Sequence, residues 1–268
     1  MYVIGERING MFNDVKQAIV EKNPETIKDL AKRQMAAGAD ALDVNVGPAS
    51  SDAEGALTWL VECIREVTEA PLAIDSAKWS VMSKVVPQVP GKVIINSSKA
   101  DEDTLEKYVG LAMETGASLV ALTIDRRGVP GDVERRVELG AQILTIAQAA
   151  GLPMERLFVD TIILPVNVAP KQPVNVLEAL KQLAMLSDPA PHMVLGLSNV
   201  SQNCNERLLI NRTYLTMAIA CGLDSAIMDP MDKELLDAAI TAELLTGKTI
   251  YCDSFLTAER KRKQAAGG

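Results

Sequence analysis

The sequence predicts one α/β domain, a single closed (β/α)8 TIM barrel, on three observations. Eight short apolar runs alternate with eight longer stretches that have helical periodicity. Composition does not shift along the 268 residues, and no linker rich in Pro, Gly or Ser divides the chain. The length also matches the roughly 250 residues typical of such barrels. Periodicity alone leaves a doubly wound open sheet as the alternative.

The predicted strands are short apolar runs rich in branched residues, as expected of parallel strands that are buried on both faces. They span residues 2–6, 41–46, 72–75, 92–96, 118–123, 157–160, 193–197 and 225–228.

The segments between the strands have the spacing of amphipathic helices. The first begins at Asn23-Pro24-Glu25, the order of N-cap, proline and acid that is typical of a helix start. Further helices are predicted over residues 53–69, 79–86, 103–115, 132–150, 174–186, 206–221 and 233–245. We therefore expect residues 1–246 to form the barrel domain and residues 247–268 to form a C-terminal extension and tail.

Charge and composition exclude several classes of function. The net charge of −8 argues against nucleic-acid binding, which needs a clustered basic face. The one basic run, residues 260–263, lies in the tail, where we expect it to be solvated or frayed. The sequence contains no apolar stretch of about eighteen residues, so no membrane span is predicted.

The cysteines indicate neither a metal site nor a disulfide framework. Cys63, Cys204, Cys221 and Cys252 are scattered, without the close pairs of zinc or iron–sulfur sites. Isolated thiols without a signal peptide favour a cytoplasmic location.

Polar residues follow most of the predicted strands. In a barrel the carboxyl ends of the strands converge on one mouth, where functional residues lie. The residues at these ends are Glu6, Asp43, Asn45, Asp75, Asn96, Asp160, Ser198, Asn199, Gln202 and Asp229. Acids and amides without cations suit a neutral ligand rich in N–H donors and ring acceptors, such as a pterin. Taken singly, each could instead cap the next helix, but Asp43 and Asn45 lie several residues before theirs.

Several motifs resemble the pterin-binding family, which includes dihydropteroate synthase and the folate domain of cobalamin-dependent methionine synthase. The resemblance covers residues 4–245. The motifs are Gly5-Glu6-Arg7-Ile8-Asn9, Asp43-Val44-Asn45-Val46, Ile74-Asp75-Ser76-Ala77-Lys78-Trp79, Gly91-Lys92-Val93-Ile94-Ile95-Asn96-Ser97 and Gly196-Leu197-Ser198-Asn199-Val200-Ser201.

The resemblance is strongest to the methyltetrahydrofolate:corrinoid iron–sulfur protein methyltransferases of acetogenic carbon fixation. It implies transfer of the N5-methyl group of methyltetrahydrofolate to the Co(I) corrinoid carried by a corrinoid iron–sulfur protein. It further implies a homodimer with no covalently bound cofactor. A methyltetrahydrofolate methyltransferase that serves another corrinoid protein, such as an O-demethylase system, remains open, as does a non-catalytic folate-binding protein.

The same resemblance implies roles for individual residues. Asp75, Asn96 and Asp160 are expected to bind the pterin ring, and Asn199 to act in catalysis beside N5. Further residues expected in the pocket are Asp43, Gly196, Ser198, Gln202 and Arg207, the last for the ligand or its glutamate tail.

Dihydropteroate synthase has a Lys near the end of strand seven, whereas residues 197–202 contain none, which disfavours a pterin-condensing synthase. His192, the sole histidine, precedes strand seven and is expected to be structural, opposite the mouth. Arg126 and Arg127 could meet the glutamate tail, the partner protein or only solvent.

Overall fold

The computed structural model describes residues 1–266, within which eight parallel strands close into one barrel in chain order. The strands are β1 (Tyr2–Asn9), β2 (Ala41–Asn45), β3 (Leu72–Asp75), β4 (Val93–Lys99), β5 (Ser118–Leu122), β6 (Leu157–Asp160), β7 (His192–Gly196) and β8 (Ser225–Met228). β1 pairs with β8 from Tyr2↔Ser225 to Gly5↔Met228, which closes the sheet. The predicted barrel is confirmed and the open-sheet alternative is wrong.

Two strands run further than predicted because each contains an irregularity. β1 shifts register against β2 between Gly5 and Ile8, and β4 shifts against β5 between Asn96 and Ser98. A bulge of this kind lets a strand continue pairing while it redirects a side chain, and bulges are common beside active sites. Both irregularities lie at the mouth of the barrel.

Helices surround the barrel. Those in the described residues are α1 (Asn13–Glu21), α2 (Pro24–Ala36), α3 (Ala53–Arg65), α4 (Trp79–Val85), α5 (Glu102–Thr115), α6 (Val133–Ala149), α7 (Gln172–Leu183), α8 (Arg207–Ala220), α9 (Lys233–Leu245) and α10 (Phe255–Ala266). Asn23 caps α2 as predicted, its side chain accepting from the Glu25 N–H at 3.1 Å. The short helices α1 and α10 were not predicted. None of the helices within residues 1–266 combines the length and hydropathy needed to cross a membrane.

The expectation of a solvated or frayed basic tail is wrong for Arg260 and Lys263, whereas Lys261 and Arg262 are exposed on the same helix, α10. Lys263 on α10 is buried, and its Nζ donates to the Met1 carbonyl at 2.9 Å and to Asp40 Oδ2 at 2.8 Å. Arg260 forms an ion pair with Asp237 of α9. Asp40 just before β2 and Asp237 on α9 thus hold this segment through contacts between distant parts of the chain.

The interior of the barrel is filled by one apolar layer, separate from the larger core between sheet and helices. The layer consists of Ile4, Ala41, Ala73, Ile94, Val120, Phe158 and Val194. Because side chains alternate along a strand, residues two positions later point inward as well. In six strands that position is polar or glycine: Glu6, Asp43, Asp75, Asn96, Asp160 and Gly196. The apolar layer is therefore the floor of a polar cup.

Candidate active site at the carboxyl end of the barrel

Two acid–amide pairs lie directly above the apolar floor of this cup. The side-chain amide of Asn96 donates to Asp43 Oδ1 at 2.9 Å, and the amide of Asn45 donates to Asp75 Oδ2. The Oδ1 atom of Asn45 accepts from the Gly47 N–H at 2.6 Å. These contacts join β2, β3 and β4 and hold both carboxyl groups in one orientation.

The two acids are buried together, and this controls their ionisation. Burial raises the pKa of Asp43 well above its usual range, the negative charge of Asp75 raises it further, and the hydrogen bond from Asn96 opposes both. Burial raises the pKa of Asp75 to about 6, against the hydrogen bond from Asn45. Adjacent buried carboxyls resist ionising together, so burial and the charge of Asp75 both favour the neutral form of Asp43. A carboxyl group donates when protonated and accepts when ionised, which suits the amino-pyrimidinone edge of a pterin.

Asp160, at the end of β6, occupies the next part of the cup. Its Oδ1 accepts from the Ile162 N–H at 2.7 Å, and its carboxyl group faces the backbone N–H of Gly196. Burial raises the pKa of Asp160 to about 6, while these two N–H groups and the charge of Arg136 act to lower it. A buried carboxylate with fixed backbone donors is suited to accept a further N–H from a ligand.

Asn199 lies above the end of β7, in a 3₁₀ helix that spans Leu197–Ser201. Leu197 and Val200 are buried and anchor this helix, whereas Asn199 is exposed. A Cβ atom on Gly196 would stand 2.9 Å from Asn199 Nδ2. The missing side chain of Gly196 therefore lets the Asn199 amide fold back over the strand end.

Arg207 braces this 3₁₀ helix from the first turn of α8. Its Nε lies 3.3 Å from Ser201 Oγ and its Nη2 lies 3.3 Å from the Ser198 carbonyl. Arg207 and Gln202 are both exposed, at the rim rather than the floor of the cup.

Glu6 belongs to the site, although the sequence reasoning assigned it no role. Its carboxylate accepts a hydrogen bond from Ser198 Oγ, which joins β1 to the segment that carries Asn199. Burial raises the pKa of Glu6, the Ser198 hydrogen bond opposes this, and Asp229 raises it. The sequence did contain a signal for this role: Glu6 lies two residues after the apolar Ile4 on the same predicted strand, so both side chains face the inside of the barrel.

The irregularity in β1 that places Glu6 is supported from α2. Gln34 is fully buried, and its Oε1 accepts from the Arg7 N–H at 3.0 Å. A Cβ atom on Gly5 would lie 2.5 Å from this same oxygen. Glycine is therefore required at position 5 for Gln34 to reach the backbone of the bulge.

Two cavities open on opposite sides of the mouth. One of about 300 Å³ is lined by Asn45, Asp75 and Lys78, among others. The other, about 390 Å³, is lined by residues that include Glu6, Ser198 and Arg207. The structure thus pairs Asp43 with Asn96 and Asp75 with Asn45 through hydrogen bonds. It places the Asn199 amide over Gly196 at the end of β7, the strand that neighbours Asp160 on β6. The cavities flank these groups.

Other candidates from the sequence lie elsewhere. His192 is at the amino-terminal end of β7, as predicted, with Nδ1 2.8 Å from Asp224 Oδ2 and its ring stacked on Phe158. Arg126 forms ion pairs with Asp101 and Asp103. In the described part of the chain, no group of three or more His, Cys, Asp or Glu side chains is arranged to hold a metal ion.

Comparison with known families decides the classification. The model of the family described as "Pterin binding enzyme" matches residues 6–229, a span that holds both acid–amide pairs. The chain belongs to this family.

The most informative relatives of this pterin-binding enzyme are methyltransferases. It is 30% identical over 265 residues to the methylcorrinoid:tetrahydrofolate methyltransferase of Eubacterium limosum, covering 98% of this chain and 97% of that protein. It is 29% identical over 239 residues to the methionine synthase of Mycobacterium leprae, covering 84% of this chain but only 20% of that longer protein. Together these relatives mark the chain as a methyltransferase.

Solved structures share the fold. Dihydropteroate synthase from Coxiella burnetii, in complex with pteroic acid, superposes with a TM-score of 0.69 at 15% identity, covering 92% of this chain and 94% of that one. The enzyme from Xanthomonas albilineans gives a TM-score of 0.64 at 17% identity, covering 93% and 94%. Identities this low establish the common barrel and no more.

Proposed function

We propose that this enzyme transfers the N5-methyl group of methyltetrahydrofolate to the Co(I) corrinoid of a corrinoid iron–sulfur protein. The observation that carries the proposal is the acid–amide cup, which is complementary to a pterin. The nearly full-length similarity to a methylcorrinoid:tetrahydrofolate methyltransferase supports the reaction class. No nucleophilic side chain is required, because the reduced cobalt on the partner protein attacks the methyl carbon.

In this proposal the two acid–amide pairs and Asp160 bind the pterin ring. Asp75 and Asp160 accept from its N–H groups, Asp43 contacts the same edge of the ring beside Asp75, and Asn96 holds Asp43 in place. Gly196 and Ser198 line the same pocket. Gln202 and Arg207, at the rim, are placed toward the p-aminobenzoyl-glutamate tail.

The difficult step is breaking the bond between N5 and the methyl carbon. The cobalt electron pair forms the new bond to carbon, and the electrons of the broken bond stay on N5. A proton bound to N5 turns a very poor leaving group into a neutral amine. The amide oxygen of Asn199 accepts a hydrogen bond from this protonated nitrogen, so its removal costs on the order of 10² to 10³ in rate.

The test is methyl transfer by the Asn199→Ala variant, with methyltetrahydrofolate and reduced free cobalamin as substrates. We expect the wild-type chain to form methylcobalamin and the variant to be slower by that factor, with the affinity for folate changed much less. The partly buried Asn175, whose side-chain amide donates to the Gly131 carbonyl at 2.8 Å, provides the matched control Asn175→Ala. Unchanged turnover in Asn199→Ala would remove Asn199 from the mechanism. If the wild type binds the folate but transfers no methyl group, the protein is a non-catalytic folate-binding protein instead.

One observation favours a second candidate. The Eubacterium limosum relative is named for transfer from methylcorrinoid to tetrahydrofolate, the reverse direction. The same transition state serves both directions, so the physiological one depends on the partner and its methyl source. Assays in both directions with purified corrinoid proteins, one an iron–sulfur protein and one from an O-demethylase system, separate the candidates by kcat/KM.

We further propose that the enzyme is a homodimer, formed through the outer faces of α7 and α8. Val174, Leu209 and Met217 are 67%, 61% and 46% exposed there. Leu209 and Met217 also line an apolar cavity of about 260 Å³. Exposed apolar patches of this kind mark association sites, and family resemblance points to a second copy. Sedimentation should give a dimer for the wild type and a monomer for Leu209→Glu. A monomeric wild type contradicts the proposal.

A further inference from the structure

Arg136 on α6 is the largest side chain in the protein that is fully buried. Its Nε donates to the Thr161 carbonyl at 2.7 Å, and its Nη2 donates to the Ile162 carbonyl at 3.4 Å and to Gln172 Oε1. The neighbouring Arg135 instead points outward and pairs with Asp125 and Glu138. Burying a guanidinium is costly, so this position needs a physical reason.

The segment that Arg136 contacts directly follows Asp160. Ile162 has a φ of +54°, a left-handed conformation that a β-branched residue rarely adopts. In this conformation its N–H points back and donates to Asp160 Oδ1 at 2.7 Å. A strained turn persists only where its surroundings hold it, and Arg136 holds the carbonyl groups of both Thr161 and Ile162.

We propose that Arg136 is a positioning residue for the methyl-transfer site. It clamps the turn after β6, so that Asp160 keeps its backbone donor, and it supplies the positive charge that Asp160 faces from α6. This inference rests on the proposed function, because it assigns Arg136 a role only through the binding of the pterin by Asp160.

The charged and titratable groups around this clamp come from three elements. Arg136 is faced by Tyr214 on α8, Asp132 at the start of α6 and Asp160 at the end of β6. Asp160 is faced by Arg136 and Tyr214. Burial raises the pKa of Tyr214 far above neutral, so this phenol stays uncharged. Removing Arg136 therefore leaves Asp160 without its cation.

The experiment measures the affinity for methyltetrahydrofolate between about pH 5 and pH 8 for the wild type and Arg136→Met. Methionine keeps the length and apolar stem but cannot donate. We expect affinity at neutral pH to fall about tenfold or more, since the turn loses its clamp. We also expect the midpoint of the pH dependence to rise by about half a unit, less than the one to three units of a directly contacting cation.

Arg156 provides a matched control. It too donates to backbone carbonyls, with Nε 3.1 Å from the Ala117 oxygen, but it precedes β6 at the opposite end of the barrel. Arg156→Met should lower thermal stability and leave the pH midpoint unchanged. If Arg136→Met fails to fold, Arg136→Lys serves instead. We expect this variant to bind the folate more weakly, because a single ammonium group does not reach all three acceptors of the guanidinium. The midpoint of its pH dependence should stay unchanged, because the positive charge remains.

The outcomes distinguish this inference from the proposed function. If Asp160→Asn binds the folate as well as the wild type does, Asp160 is not a pterin ligand and the binding model fails. If Asp160→Asn weakens binding while Arg136→Met or Arg136→Lys keeps both the wild-type affinity and the wild-type midpoint, only the positioning role of Arg136 is overturned.

Discussion

The side-chain amide of Asn96 lies 2.9 Å from Asp43 Oδ1 and ties β4 to β2 across β3 inside the barrel. Asp75, on the intervening strand, is held in turn by Asn45. Inside the barrel these polar groups have little water to contact, so each amide satisfies an acid that would otherwise be buried without a partner. The geometry of the cup is thus set by the protein before any ligand binds.

Asn96→Ala should weaken folate binding. The substitution leaves the buried Asp43 carboxyl without its donor and free to reorient, and an unsatisfied buried polar group costs about 1–3 kcal/mol. We expect the Kd for methyltetrahydrofolate to rise about 10- to 100-fold, measured by titration calorimetry. Asn175→Ala is the control, and equal affinities in the two variants would remove Asn96 from the binding site.

Asp160→Asn should stabilise the free enzyme at neutral pH. The pKa of Asp160 is about 6 when folded and about 3.9 when unfolded. The folded state therefore binds the proton more tightly, and the stability contributed by this group is lost as pH rises from about 4 through about 6. The neutral amide avoids this loss, which reaches about 3 kcal/mol well above pH 6. In urea unfolding, Asp160→Asn should be more stable than the wild type at pH 7.5 and equally stable near pH 4. A variant that is less stable than the wild type at every pH would contradict this prediction.

Gly196→Ala should impair turnover without unfolding the protein. The new methyl group would meet the Asn199 amide, the mobile end of a side chain, and displace it from the end of β7. We expect kcat to fall about tenfold or more, since a small misplacement of a catalytic group is costly, with little change in thermal stability. Gly110 in α5 has nothing within 4 Å of its ideal Cβ position, so Gly110→Ala is the matched control and should retain full activity. Wild-type kcat in Gly196→Ala contradicts the expected crowding of Asn199.

His192 should contribute most to stability at low pH. The hydrogen bond to Asp224 raises the pKa of His192, while burial acts against it. Its contribution is therefore fully present below about pH 6.5, the unfolded value, and is lost as pH rises through the higher folded value. Thermal unfolding of wild type and His192→Asn should differ more at pH 6 than at pH 9. A difference that grows with pH would contradict the pairing with Asp224.

Much of the barrel could be predicted from the sequence because its signals are local. The eight apolar runs and the segments between them lie close to the observed strands and helices, since each depends on the periodicity of a few neighbouring residues. The polar residues at the strand ends could also be predicted to converge, because parallel strands in a closed barrel end at one mouth. The candidate site residues Asp43, Asp75, Asn96 and Asp160 follow from this rule.

Only the tertiary structure decided which of these side chains contact one another. The pairing of Asn96 with Asp43 depends on the register of three strands, and the role of Glu6 depends on a bulge held by Gln34. The burial of Arg136 beside the exposed Arg135, and of Lys263 against Asp40, likewise depends on contacts between distant segments. Local propensity and periodicity do not encode such contacts, since they form only when closure of the sheet brings the segments together.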